Sequence, residues 1–143
     1  MMDKQRLFKQ LRLHEGVEKF PYRCTSGKLT IGVGRNIEDR GLLDDEIDFL
    51  LDNDIEVVMN EVAVTFDWFF DLSEVRQRVV ADMIFNLGLP TFKKFGQMIA
   101  ALEAGDWSEA ATQMMDSRWA KQVGARAERL RDMMETGEDS SDF

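Results

Sequence analysis

The stretch HEGVEKFPYRCTSGKLTIGVG, residues 14–34, holds the chain's only histidine, its only cysteine, one of its two prolines and four of its ten glycines. The hydrophobic period changes inside it. Before it, Leu7, Phe8 and Leu11 recur at helical spacing, with Asp3 placed to cap the N-terminus and Gly16 to stop the helix. Within it, Leu29, Ile31 and Val33 alternate with Thr30, Gly32 and Gly34, the pattern of a strand with one apolar face and one small, bare face. Ser26-Gly27 marks the turn of a hairpin whose first arm runs from about Phe20 to Cys24. A three-residue loop is expected to set Cys24 opposite Thr30, and a two-residue loop to set Arg23 there.

Beyond the hairpin the period is helical throughout. Ile47, Leu50, Leu51, Ile55, Val58, Met59 and Val62 form one stripe, long enough for a helix joining two lobes. Ser73 is placed to cap a helix that Gly88 stops, Phe92 to Leu102 predicts another, and Asp106 with Glu109 begins a third. Ser117 and the segment from Ala125 to Glu135 supply the last helices. The fold class is therefore α+β, mostly helical, with one small hairpin after the first helix. The methionines, with Trp107 and Trp119, are expected to fill the core.

Composition narrows the function. A net charge of −9 disfavours nucleic acid and anionic membranes as partners. One cysteine forms no internal disulfide, and with one histidine it closes no typical zinc site, so no metal and no cofactor are expected. No apolar run is long enough for a signal peptide's core or for a membrane span.

Glu15 sits where the first helix ends. The helix dipole and partial burial would both favour the protonated acid that a leaving oxygen needs. His14 reads as a complement to the dipole. Thr30 lies on the bare face of its strand, where Gly32 and Gly34 leave room for something to approach the backbone. An acid at a helix end, facing a hairpin with a second ionisable group and a hydroxyl, suits glycoside hydrolysis.

Glu15, eight residues, Cys24, five residues and Thr30 resemble the Glu-Asp/Cys-Thr triad of the phage-type lysozymes, the endolysins of glycoside hydrolase family 24. HEGVEKFPY, LTIGVGRN, MIFNLG (83–88) and DWSEAATQMMDSRWAKQVGARAERL (106–130) resemble further segments of that family, in the same order. The resemblance implies a lysozyme-like two-lobed fold in a single domain. Its small lobe would cover about 15–45, and its helical lobe about 65–137 plus the first helix, with 138–143 a disordered tail.

It also implies an N-acetylmuramidase that cuts the β-1,4 bond between N-acetylmuramic acid and N-acetylglucosamine in bacterial peptidoglycan. Glu15 would be the general acid, Cys24 the base or nucleophile, and Thr30 would position water. Arg126 would pair with Glu15, and Asn36, Phe85 and Gln113 would contact the glycan or its peptide. Arg23 could favour the Cys24 thiolate if its side chain turns that way. The expected setting is a monomeric phage endolysin, made in the host cytoplasm and released by a holin to the periplasmic wall. The rival readings are a lytic transglycosylase and an inactive wall-binding module. Two departures stand out. NIEDRGLLDD is shorter than in the T-even enzyme, and Arg35 occupies the place of a family histidine.

An acidic protein and an anionic wall repel each other at long range, and salt screens this beyond about 8 Å. Wall-lysis assays across ionic strength should therefore show activity rising from very low to moderate salt. A monotonic fall would point to a local basic cleft outweighing the net charge.

Overall fold

The computed structural model describes residues 1–143, which form two compact units, Met1–Leu50 and Leu51–Phe143. It is mostly helical with one small antiparallel sheet, the expected α+β class.

In the first unit, helix α1 spans Lys4–Glu15. The Asp3 side chain accepts a hydrogen bond from the Arg6 N–H, and the Gly16 N–H donates to the Arg12 carbonyl, so both ends stop where the sequence placed them. Three strands follow: β1 (Glu18–Arg23), β2 (Leu29–Gly32) and β3 (Arg35–Asn36), in the order β1-β2-β3. The third strand is an addition to the expected hairpin. At two residues it is too short to leave a period in the sequence.

The register corrects both expected pairings. Tyr22 faces Thr30 and Arg23 faces Leu29. The Cys24 N–H donates to the Lys28 carbonyl at 3.0 Å, which leaves Thr25, Ser26 and Gly27 as the loop. Cys24 is thus opposite Lys28. With a side-chain period of two, it shares a face of the hairpin with Thr30 as a diagonal neighbour. The burial of β2 is also the reverse of its apolar pattern: Thr30 is only 3% exposed, while Leu29 and Ile31 are half-buried. Thr30 pairs on both sides, with Tyr22 and with Asn36. Helix α2 (Ile37–Arg40) is capped by the Asn36 side chain, which accepts from the Asp39 N–H. Arg35 pairs with Glu46, whose carboxylate also accepts from the Leu43 N–H, so the residue at the histidine position has a partner of its own.

Helix α3 (Asp44–Thr65) crosses the division between the units. Its apolar stripe is buried only from Val58 onward. Ile47, Leu50, Leu51 and Ile55 stay 45–49% exposed, because the core begins at Val58 and Val62. The second unit continues with α4 (Glu74–Leu87), α5 (Leu89–Phe92), α6 (Gly96–Ala104), α7 (Trp107–Met115), α8 (Arg118–Val123) and α9 (Ala125–Thr136). Ser73, Asp106 and Ser117 cap α4, α7 and α8 through their side-chain oxygens. The helix expected through Phe92 and Leu102 is two helices. Lys94 and Phe95 bond back three residues, to Thr91 and Phe92, and this tightened turn ends α5 before α6 starts. Phe69, Val79, Val80, Met83, Phe92, Met98, Met114 and Met134 are fully buried, as is most of Trp119. Dense packing of this kind carries most of the stability of such a domain.

One polar side chain closes the helical unit. Arg76 on α4 donates from Nε to the Met134 carbonyl at 2.7 Å and from Nη2 to the Glu135 carbonyl at 3.1 Å. Its guanidinium also stacks on Trp107, 4.4 Å from the ring centroid. The cation thereby satisfies carbonyls left open at the end of α9 and opposes that helix's dipole. Gly137 is needed beside it: φ is 73°, and a Cβ there would lie 2.9 Å from Arg76 Nη1. Arg76→Leu should lower unfolding free energy by about 2 kcal/mol in urea titration, from lost charge-assisted hydrogen bonds. An unchanged midpoint would show that these contacts contribute nothing.

Candidate active site

Glu15 is the last residue of α1, and its side chain lies against the turn between β2 and β3. A Cβ built on Gly34 would sit 2.7 Å from Glu15 Oε2 and 3.0 Å from its carboxyl carbon. Only a bare backbone admits the carboxylate there, and Gly34 also has φ of 66°, a conformation other residues adopt at a cost. This is the close approach that the small face of the strand foreshadowed. The expected partial burial of Glu15 is not found; the residue is exposed. His14 is likewise exposed in the last turn of α1, as its dipole-complementing reading expected.

Cys24 opens the loop between β1 and β2. Its Sγ is 3.1 Å from the Ser26 hydroxyl. The Ser26 hydrogen bond and backbone hydrogen bonds at Lys28 and Ser26 bring the thiol down to about 7, against an opposing effect of burial. Arg23 is not the cause. Its guanidinium turns to the Gly27 carbonyl at 3.0 Å and to Glu38 at 3.2 Å. Thr30 Oγ1 donates to the Lys28 carbonyl at 2.9 Å, which leaves its lone pairs free to accept from water or a substrate hydroxyl.

Glu15, Cys24, Thr30 and Asn36 all belong to the first unit. The Asn36 side chain is engaged twice by Asp39, accepting from its N–H at 3.1 Å and donating to its carboxylate at 2.9 Å. Phe85, Gln113 and Arg126 belong to the second unit. Phe85 is 46% exposed and lines a mainly apolar groove of about 410 Å3 with Leu51, Ile55, Arg126 and Leu130. Arg126 donates to Asp82 Oδ1 from Nε at 2.9 Å and from Nη2 at 2.6 Å, a fork on one oxygen that spacing alone could not reveal. Gln113 donates to Glu109 at 2.7 Å and lines a second cavity of about 630 Å3 with Lys94, Asp116, Arg118 and Trp119. Trp119 is fixed there by its indole N–H, which donates to Asn86 at 2.8 Å.

The family model for phage lysozyme matches residues 12–134, which include all of these residues. The chain belongs to the phage lysozyme family. It is 26% identical to a protein described as probable T4-type lysozyme 2 of Dictyostelium discoideum, over 89% of this chain and 92% of the relative. Probable T4-type lysozyme 1 of the same organism is 24% identical over the same shares. The pre-baseplate central spike protein Gp5 of Enterobacteria phage T4 is 27% identical over 89% of this chain, which covers only 27% of Gp5. This phage lysozyme is accordingly a glycosidase, a peptidoglycan hydrolase of the lysozyme type. No helix in it is long and apolar enough to cross a membrane.

The contact between Glu15 and Gly34 is directly testable. Gly34→Ala should reduce kcat on peptidoglycan by about tenfold or more, as a displaced catalytic group does. The thermal unfolding midpoint should move by only a few degrees. Wild-type turnover in this variant would show that the carboxylate does not work from this position.

Proposed function

We propose that this phage lysozyme hydrolyses the β-1,4 bond between N-acetylmuramic acid and N-acetylglucosamine, with Glu15 as general acid and Cys24 as general base. The observation that carries this reading is geometric: Cys24 shares a hairpin face with the buried Thr30 as its diagonal neighbour, and its Sγ lies 3.1 Å from the Ser26 hydroxyl. Glu15 gives its proton to the glycosidic oxygen as the bond to the anomeric carbon breaks. Water held by Thr30 adds to that carbon and passes a proton to the Cys24 thiolate. One proton leaves Glu15 and one arrives on Cys24, so exchange with solvent resets the site.

Asn36, Phe85 and Gln113 are assigned to contacts with the glycan and its stem peptide. Half-exposed Phe85 offers an apolar surface to a sugar face, and the cavity at Gln113 carries Lys94 and Arg118, whose charge suits the carboxylates of a stem peptide. The proposed setting is host lysis at the end of phage infection, by a monomer that reaches the wall through a holin.

Mass spectrometry of fragments released from purified Gram-negative peptidoglycan tests the reaction. Reducing muramic-acid ends are expected; anhydro-muramic ends would make the protein a lytic transglycosylase and remove the role of Thr30. In the same assay Glu15→Gln and Cys24→Ser should each lose about a hundredfold or more in rate while keeping the fold. A Cys24→Ser enzyme near full rate would overturn the base assignment.

A further inference from the structure

The thiol in this site lacks a cation. The two nearby, Arg23 and the facing Lys28, are spent elsewhere: Arg23 on Glu38 and the Gly27 carbonyl, Lys28 on Glu38 and Asp39. What faces the sulfur instead is the hairpin loop. Three residues, Thr25 to Gly27, are closed by two backbone bonds, Cys24 N–H to the Lys28 carbonyl at 3.0 Å and Gly27 N–H to the Cys24 carbonyl at 2.8 Å. Those bonds fix the loop at both ends and set the Ser26 hydroxyl 3.1 Å from Cys24 Sγ. Ser26 makes no other side-chain hydrogen bond, and the residue is exposed, so packing does not account for its place.

We propose that Ser26 is a positioning residue of the reaction: its hydroxyl donates to the Cys24 thiolate and holds the sulfur in the form, and the direction, that takes the proton from water. The inference rests on the reading of Cys24 as the base. A thiol, unlike a carboxylate, is mostly protonated at neutral pH unless something stabilises its anion. A hydroxyl donor does this without a charge, and a charge-assisted hydrogen bond is about twice as strong as a neutral one. The lowered pKa of the thiol, with the Ser26 hydrogen bond as its largest cause, agrees with that geometry.

Two readouts on the same variants test this. Cys24 is the only cysteine, so the pH dependence of iodoacetamide alkylation reports its ionisation alone. In the wild type the midpoint should lie near pH 7. Ser26→Ala should raise it by about one unit, a tenfold smaller thiolate share below the midpoint. The acid limb of the kcat/KM profile for wall hydrolysis should move by the same amount. Ser26→Thr, which keeps a hydroxyl, should restore both, and KM should change little. An alkylation midpoint unmoved by Ser26→Ala would overturn the role of Ser26 while leaving Cys24 as base. A moved midpoint with an unmoved activity profile would overturn Cys24 as base, and Ser26 as a positioning residue with it.

Discussion

The end of α1 meets the β2–β3 turn without a side chain in between, and the place of the Glu15 carboxylate depends on that approach. A Cβ at Gly34 would collide with the carboxylate as it lies, and Gly34 also turns through a positive φ that favours glycine. The helix must also stop on time. Gly16 ends α1 one residue after Glu15, so the acid is the last helical side chain and not one buried in a longer helix. From there the sheet arranges the rest. Thr30 is on the central strand, locked between Tyr22 and Asn36, and is the one buried polar residue of the protein. Cys24 stands at the loop end of the same hairpin, diagonal to it.

A cysteine in the place where a carboxylate would serve changes the electrostatic problem. A carboxylate is ionised at neutral pH without help, whereas a thiol needs its anion stabilised. The loop supplies that stabilisation from a hydroxyl and backbone N–H groups, in an open position where solvent also reaches the sulfur. The loop sets the Ser26 hydroxyl against the sulfur, and the Thr30 hydroxyl on the same face is turned to the Lys28 carbonyl.

Much of the scaffold was legible because its signals are local. Asp3, Ser73, Asp106 and Ser117 cap helices as their residue types suggest, and Gly16 and Gly88 end them. What escaped depends on the third dimension. A two-residue strand has no period. The register of the hairpin turned on how three loop residues bond to each other. The apolar stripe of α3 matches a helix, yet Ile47 to Ile55 lie outside the core, because spacing gives a face and not its depth. The site divides the same way. Spacing and resemblance named Glu15, Cys24 and Thr30, which the structure groups in the first unit, and the missing side chains pointed to the approach at Gly34. The turn of Arg23 toward Glu38, the hold of Asp82 on Arg126 and the reach of Ser26 to Cys24 are choices of side-chain direction, which sequence spacing does not record.

The central claim is that Cys24 takes a proton from water and does not itself attack the sugar. The anomeric configuration of the newly formed reducing end, followed by proton NMR before mutarotation on a defined muropeptide oligomer, tests this most directly. Attack by water with Cys24 as base predicts inversion, so the first-formed product is the α-anomer. A first-formed β-anomer would mean retention through a thioglycosyl intermediate, and would contradict the account.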